Sequence, residues 1–256
     1  MQDGRAQNTE AQTCNFQSIL VLKHNNMKLK LACFIIIAAF IAFSAKCQLT
    51  NQHLFDTVGF IPEHYGPRIT KFAAEPVVKG RIIFLGNSIT ELGNWGRLTG
   101  DTTVINRGIG GDITFGVLKR LDDIIASEPA KVFLLIGIND IGKDIPDTVI
   151  ADNICKIVSI INLGSPATKI YVQSILPVNR DFKNFPQHYN KLEHVLHVNA
   201  ILPGMLKTVN CTFVNIFPLF LDGQQRLDAN LSIDGLHINT KGYGIWIDYL
   251  RKNGYL

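Results

Sequence analysis

The sequence is poor in cysteine and lacks the spacing of a metal site. Only five cysteines occur among 256 residues, and three of them lie within the first 47. The other two, Cys155 and Cys211, permit one disulfide, but two free, buried thiols agree with the sequence at least as well. No group of cysteines and histidines has zinc-ligand spacing. We therefore expect neither a disulfide scaffold nor a metal centre.

An excess of one charge sign is also missing. The formal net charge is +4 over the whole chain, and beyond residue 47 the balance is 20 basic to 19 acidic residues. Such a balance argues against a nucleic-acid partner and gives no sign of attraction to a membrane surface. Hydrophobic residues make up 46% of the chain, which is ample for a globular core.

Long hydrophobic runs are absent except for one near the N-terminus. Leu31–Phe43 is an unbroken apolar stretch that follows the basic "MKLK" and precedes "SAKCQ". As a helix it would reach about 20 Å, short of the roughly 30 Å hydrocarbon core of a bilayer. The pattern predicts a signal peptide over residues 27–47, with cleavage after Cys47, rather than a stable membrane span. A lipoprotein acylated at Cys47 and a signal anchor are the alternatives.

The rest of the chain is predicted to consist of an N-terminal extension, an arm and one domain. Residues 1–26 are polar and lie upstream of a complete signal, which indicates an over-extended gene start or a disordered extension. Residues 48–79 lack a clear period and are predicted to form an N-terminal arm. Residues 80–256 are predicted to form one domain, and the leader predicts a secreted or periplasmic location.

Within that domain, short apolar runs alternate with amphipathic segments. The runs have the β-branched and aromatic content of strands: Ile82–Leu85, Thr103–Asn106, Val132–Ile138, Lys169–Ser174 and Thr212–Ile216. Helical spacing is seen in "DITFGVLKRLDDIIASE" (112–128), Pro146–Leu163, Gln187–Lys207 (with Pro203 expected to end or kink it) and Thr240–Lys252. Alternation of this kind predicts a three-layer α/β domain with a parallel sheet of about five strands.

Polar residues follow three of these strands. The segments are "GNSIT" (86–90), "NRGIGGDIT" (106–114) and "GINDIG" (137–142), and "SIDGLH" (232–237) precedes the last helix. Because ligands bind beyond the carboxyl ends of parallel strands, these segments are expected to converge.

Each segment also has a purely structural interpretation. Ser88 and Glu91 fit the S-x-x-E capping box at a helix start. The glycines at 108, 110 and 111 suit a tight turn followed by Asp112 as an N-cap. Asn139 with Asp140 is a common turn pair, and a loop histidine such as His237 is usually just solvated. Taken one at a time, none of the segments indicates chemistry.

Together the segments supply the parts of an acyl-transfer site. Ser88 is a candidate nucleophile, His237 its base, and Asp234 the group that orients the base. Asp234 and His237 are three residues apart, so one turn brings their side chains to the same face. The backbone amides of Ser88 and Gly111 and the side-chain amide of Asn139 are candidate oxyanion donors.

The blocks "FLGNSIT", "VINRGIGGDIT", "LLIGIND" and "DGLHINTKGY" resemble, in order and spacing, the four blocks of the SGNH hydrolase superfamily. These enzymes are also called GDSL-type esterases and lipases, and the branch that includes platelet-activating-factor acetylhydrolase is the most similar. The resemblance covers about residues 80–252. It implies a flavodoxin-like α/β/α fold, ester hydrolysis without a cofactor, the triad Ser88, Asp234 and His237, and oxyanion roles for Ser88, Gly111 and Asn139. Asn87 stands where the family usually has Asp.

The substrate is less defined. For an exported chain, the resemblance to this superfamily implies removal of acetyl groups from carbohydrates, with a lipase or lysophospholipase as the alternative. The near-neutral charge gives no sign of attraction to a membrane surface. A flavin- or phosphate-binding module would leave Asp234 and His237 without a role, and a non-catalytic carbohydrate-binding protein would require a misaligned triad. We expect the loop "LPVNRDFKNFPQHYN" (176–190) to wall the pocket, with Asn179 and Arg180 as candidate substrate contacts. The sequence leaves the oligomeric state open.

Overall fold

A computed structural model describes residues 62–256 and contains a parallel sheet between layers of helices. Its strands are β1 (Ile82–Gly86), β2 (Ile105–Gly108), β3 (Lys131–Leu135), β4 (Lys169–Gln173) and β5 (Thr212–Val214). Their order is β2-β1-β3-β4-β5, and every neighbouring pair is parallel. The order reverses between β1 and β3, where an open α/β sheet forms its binding crevice. The predicted three-layer α/β/α fold is confirmed.

The α-helices of the described residues cover both faces of this sheet. They are α1 (Tyr65–Ala74), α2 (Ser88–Glu91), α3 (Trp95–Thr99), α4 (Thr114–Leu118), α5 (Asp122–Ala126), α6 (Ile138–Gly142), α7 (Asp147–Gly164), α8 (Leu192–Met205) and α9 (Thr240–Lys252). Helix α7 packs against α4, α5 and α8, while α9 packs against α3. Short 3₁₀ turns occur at Arg180–Phe182, Pro186–His188, Leu206–Thr208, Phe217–Phe220 and Ala229–Leu231.

Aromatic side chains join the sheet to α3 and α9. The ring of Phe84 on β1 stacks on Trp95 at 3.7 Å between centroids and on Phe133 at 4.8 Å. Trp246 of α9 meets Trp95 edge to face at 5.2 Å, and its indole N–H donates to Gln173 Oε1 at 2.5 Å. Phe84, Phe133 and Trp246 are fully buried. Since rings of this size bury some 150–250 Å² each, this cluster holds the C-terminal helix firmly against the sheet.

The prediction of a single helix over residues 112–128 is wrong. Two short helices, α4 and α5, form instead, and the turn between them directs Arg120 inward. The buried guanidinium of Arg120 donates to the carbonyl oxygens of Arg107 and Gly86 at 2.8 and 2.9 Å and to Asp112 Oδ2 at 2.9 Å. These partners satisfy the charge of the buried guanidinium.

Other elements also differ from the sequence expectation. Helix α8 begins at Leu192, not Gln187, because Pro186–His188 forms a separate 3₁₀ turn. Pro203 does not break α8, since it lies in the last turn, two residues before the end. Helix α1 was not predicted, although Tyr65, Ile69, Phe72 and Ala73 recur at helical spacing; only Phe72 of its ten residues is buried.

Cys155 and Cys211 are free thiols and half-buried, so the disulfide alternative is not realised. Burial raises the pKa of the Cys211 thiol to about 11. No helix within residues 62–256 has both the length and the apolar character needed to cross a membrane. The predicted extension (1–26), the signal peptide (27–47) with Cys47, and the start of the arm (48–61) lie outside the described residues.

Candidate active site

Strand β1 ends in a glycine because the neighbouring strand leaves no room for a side chain. A Cβ at Gly86 would lie 2.1 Å from the carbonyl oxygen of Leu135. The chain then turns sharply into α2, and Asn87 caps that helix: its Oδ1 accepts the backbone N–H of Ile89 at 3.0 Å. The helix-cap interpretation of Ser88 is therefore wrong. Its hydroxyl is free for another partner.

That partner is His237, which lies 149 positions later in the chain. Ser88 Oγ is 2.8 Å from His237 Nε2, and His237 Nδ1 is 2.7 Å from Asp234 Oδ2. The other carboxylate oxygen of Asp234 accepts the backbone N–H groups of Leu236 and His237, at 3.0 and 2.8 Å, so the short loop holds its own acid in place. Gly235 allows this loop through a φ of 89°. The structure thus brings Ser88, Asp234 and His237 together as the sequence predicts.

The charge state of Asp234 determines which nitrogen of His237 carries the proton. Partial burial opposes ionisation, but hydrogen bonds from the backbone and side chain of His237 and from the Leu236 amide outweigh it. The pKa of Asp234 is therefore below its usual range. An ionised carboxylate only accepts hydrogen bonds, so His237 Nδ1 carries the proton. Nε2 is then the acceptor for the Ser88 hydroxyl, as a general base requires.

The backbone amides of Ser88 and Gly111 follow the ends of two neighbouring strands, β1 and β2. Residues 109–112 form a turn closed by a 3.1 Å bond from Asp112 N–H to the Ile109 carbonyl, with Gly111 at a φ of 75°. Within residues 62–256, the amides of Ser88 and Gly111 donate to no protein acceptor. Asn139 Nδ2 donates one N–H to the Asp112 carbonyl at 2.9 Å, which fixes the side chain and leaves its second N–H available. These three donors can stabilise an oxyanion.

Buried charges that the sequence did not indicate support this turn. Asp112, the last residue of the turn, forms an ion pair with Arg120 at 2.9 Å. Asp140 is fully buried and accepts the backbone N–H and hydroxyl of Thr114, which closes the start of α4. Burial raises the pKa of Asp112 to about 6 against the opposing effect of Arg120, and raises the pKa of Asp140 to about 7. Their partners lie on other elements, so local sequence gave no signal for them.

The loop 176–190 packs against the Asp234–His237 loop. The ring of Phe185 meets His237 edge-on at 5.4 Å between centroids, and Asn184 Nδ2 donates to the Asp234 carbonyl at 3.2 Å. Asn179 is buried, and both ends of its side chain are bonded: Nδ2 donates to the Leu227 carbonyl, and Oδ1 accepts the Asp181 amide. We therefore assign Asn179 to holding the loop rather than to a substrate contact.

Arg180 has a different environment. It is exposed, donates to Asn190 Oδ1 at 3.1 Å, and lines a cavity of about 320 Å³. The same cavity is lined by His188, whose ring nitrogens have no hydrogen-bond partner in the described part of the chain. Burial, together with the charge of Lys143, lowers the pKa of His188 to about 4, so its ring is neutral. In residues 62–256 there is no group of three or more His, Cys, Asp or Glu side chains suited to a metal ion.

Residues 84–245 match the profile of the GDSL-like lipase/acylhydrolase family. The chain belongs to this family. It is 28% identical over 168 residues to the platelet-activating factor acetylhydrolase IB subunit alpha2 of Rattus norvegicus, covering 63% of this chain and 70% of the relative. It is 29% identical to a solved structure from Streptococcus pneumonia described as a platelet activating factor, with a TM-score of 0.64 over 84% of this chain and 98% of that one.

An acetylxylan esterase from Geobacillus stearothermophilus shares the fold, with a TM-score of 0.53 and 18% identity over 70% of this chain and 97% of that one. The resemblance to GDSL-type hydrolases, and with it the class of carboxylic ester hydrolase, is confirmed. The family match begins at residue 84, so α1 lies before it.

Proposed function

We propose that this GDSL-type acylhydrolase is a serine esterase in which Ser88, His237 and Asp234 form the catalytic triad. The observation that carries the proposal is the continuous chain of short hydrogen bonds from Ser88 Oγ through His237 to the Asp234 carboxylate. A helix cap or a solvated histidine would have no need of this chain. The free amides of Ser88 and Gly111 at the same edge of the sheet support the assignment.

The reaction follows from these positions. Ser88 Oγ attacks the ester carbonyl carbon as His237 Nε2 takes its proton, and the carbonyl electrons move onto the oxygen. The Ser88 and Gly111 amides and Asn139 Nδ2 hydrogen-bond that oxyanion. When the intermediate collapses, the C–O bond to the alcohol breaks and His237 gives its proton to the departing oxygen. Water then attacks the acyl-enzyme with His237 as base, which releases the acid and restores Ser88.

The natural substrate is proposed to be an acetyl ester of a carbohydrate. The support for a polar alcohol is the polar loop 176–190, whose exposed Arg180 and Asn190 can bind hydroxyl groups at the edge of the cavity. The cavity lining also includes Val178, Leu192 and Val195, which would suit an acyl chain. A lipase or lysophospholipase is the alternative within the same chemistry.

Two assays test the proposed triad and the proposed substrate class. They are an acyl-length series on p-nitrophenyl esters and acetate release from acetylated xylo-oligosaccharides. We expect the highest kcat/KM for acetyl, release of acetate from the sugars, and no turnover by Ser88→Ala, whose circular dichroism should match the parent. Arg180→Ala should raise KM for the acetylated sugar but not for p-nitrophenyl acetate, and the exposed Gln187→Ala is the matched control. Full activity in Ser88→Ala would refute the triad, and a preference for long acyl chains would support the lipid alternative.

The protein is also proposed to be secreted or periplasmic, on the basis of the leader at residues 27–47. The expected mature N-terminus is Gln48. N-terminal sequencing of the exported protein tests this, and a mature chain that still carried residues 31–43 would contradict it.

A further inference from the structure

The carboxylate of Glu91 connects the helix that carries Ser88 to the turn that carries Gly111. Glu91 is the last residue of α2, one turn after Ser88. Its Oε2 accepts the backbone N–H of Gly110 at 2.5 Å. Gly110 precedes Gly111 within the tight turn 109–112, so fixing one amide of this turn fixes the next. The bond therefore joins the nucleophile to one of its proposed oxyanion donors.

The surrounding packing leaves this connection little freedom. A Cβ at Gly108 would lie 2.1 Å from the Glu91 nitrogen, so the end of β2 touches the backbone of α2. Asn106 Nδ2 lies within hydrogen-bonding distance, 2.9–3.1 Å, of the carbonyl oxygens of Thr90, Glu91 and Gly93. The C-terminal end of α2 is thus fixed to β2, and the hydrogen bond from the Gly110 N–H to the Glu91 carboxylate also fixes it to the turn 109–112.

Helix α1, which lies before the family match, supports Glu91 from the other side. Arg68 Nη2 donates to the Gly108 carbonyl at 2.7 Å, and Arg68 Nε lies 3.3 Å from Glu91 Oε1 in an ion-pair contact. His64 Nε2 is 3.5 Å from Glu91 Oε2, and a Cβ at Gly110 would lie 2.9 Å from the same His64 nitrogen. The Glu91 carboxylate therefore has Gly110 on one side and two basic side chains on the other.

We propose that Glu91 is a positioning residue for ester hydrolysis and that Arg68 of α1 holds it in place. Within residues 62–256, the Glu91 carboxylate is bonded to Gly110, His64 and Arg68 and not to the triad. It sets the position of the Gly111 amide relative to Ser88, a separation that matters because an oxyanion donor works only when aimed at the developing charge. A displacement of about 1 Å in such a group can cost about 100-fold in rate. The inference rests on the proposed function, since it assigns the role of Gly111.

Steady-state kinetics on p-nitrophenyl acetate test the inference. Glu91→Ala should lower kcat about 10- to 100-fold while KM stays within about twofold, because ground-state binding does not use the oxyanion contact. Glu91→Gln should retain kcat within about threefold, since its amide oxygen can still accept the Gly110 N–H. Arg68→Ala should fall between these two. The inhibition constant of phenylboronic acid, whose serine adduct places an oxygen at the oxyanion position, should rise in proportion to the loss of kcat.

The matched control is Glu128→Ala, which removes an exposed carboxylate paired with Lys79. Both residues lie just before β1 and β3 begin, at the opposite end of these parallel strands from the site. We expect it to leave kcat unchanged. Glu91→Ala with parental kcat would overturn the proposal. So would equal losses in Glu91→Ala and Glu91→Gln, which would assign the effect to charge and not to the hydrogen bond.

Amide hydrogen exchange provides a readout that does not depend on turnover. In Glu91→Ala the Gly110 amide should exchange at least about tenfold faster while the melting temperature stays near that of Glu91→Gln, because the amide has lost its acceptor. Unchanged exchange would overturn the proposal even if the protein hydrolysed no ester. An inactive parent with faster exchange in the variant would instead reject the esterase assignment and leave the structural link in place.

Discussion

At the scale of single residues, Asn87 caps helix α2 and Ser88 pairs with His237. One serine hydroxyl could not do both. Asn87 Oδ1 takes the Ile89 amide, which satisfies one of the orphan donors at the start of α2. Ser88 Oγ is therefore left to pair with His237, and the Ser88 amide stays free. Asn87 is almost completely buried, and its Nδ2 has no acceptor in residues 62–256. The residue thus stabilises the helix start through its oxygen alone.

Substitutions at Asn87 test this division. Asn87→Ala should lower the free energy of unfolding by about 1 kcal/mol, the usual value of an N-cap, and should reduce kcat as the helix start loosens. Asn87→Asp should keep the cap and remain within about 1 kcal/mol of the parent, since Asp is as good an N-cap and removes the unpartnered Nδ2. Urea denaturation and kcat for p-nitrophenyl acetate measure both. Equal stability of Asn87→Ala and the parent would reject the cap.

At the scale of elements, the 3₁₀ turn Pro186–His188 packs on helix α6, which carries Asn139. A Cβ at Gly142, the last residue of α6, would lie 2.7 Å from His188 Nε2. The neutral ring thus fits against the helix backbone, in a position where a charge would have no hydrogen-bond partner. The loop after β4 therefore contacts both the Asp234–His237 loop and the Asn139 helix.

This contact predicts a loss of stability in acid. The pKa of His188 is about 4 in the folded protein, below the 6.5 of a free histidine, because of burial and the nearby charge of Lys143. The unfolded chain therefore binds this proton first. The contribution of His188 to stability is complete above pH 6.5 and is lost as pH falls through 6.5 toward 4.

Replacing His188 with Phe keeps a planar ring and removes the titrating group. The free energy of unfolding, measured by urea denaturation from pH 7 to pH 4, should fall less steeply for His188→Phe than for the parent. Parallel curves would show that burial of His188 does not contribute to the acid sensitivity.

The elements also show which features of the fold and the site could be predicted from the sequence and which could not. Strands β1, β3 and β4 were predicted because each is a buried apolar run. Strand β2 was placed two residues early, because its observed segment, Ile105–Gly108, contains the polar Asn106 and Arg107. Ser88, Asp234 and His237 were predicted because their motifs occur in a recognisable order. The division of α4 from α5 was not predicted, since Arg120 finds its acceptors on β1 and at the end of β2. Glu91 was interpreted as a partner in a capping box because its real partner, Gly110, comes from the next strand end. Contacts between elements are the information that local patterns lack.

At the scale of the whole molecule, the topology explains how residues 149 positions apart meet. The reversal of strand order places the ends of β1, β2 and β3 side by side. Helix α9 then holds the preceding Asp234–His237 loop at this edge: the Tyr243 hydroxyl donates to the Ile89 carbonyl at 2.6 Å, and Trp246 lies in the aromatic core with Phe84 and Trp95. The core of the domain and the geometry of the site therefore depend on the same helix.

Covalent labelling with a fluorophosphonate, followed by peptide mass spectrometry, tests the central claim most directly, because the reagent reacts with a serine activated by its neighbours. The account predicts one adduct per chain on the peptide containing Ser88, no adduct in Ser88→Ala, and labelling slowed by about 10³-fold or more in His237→Ala. Labelling at another residue, or an unchanged rate in His237→Ala, would contradict it.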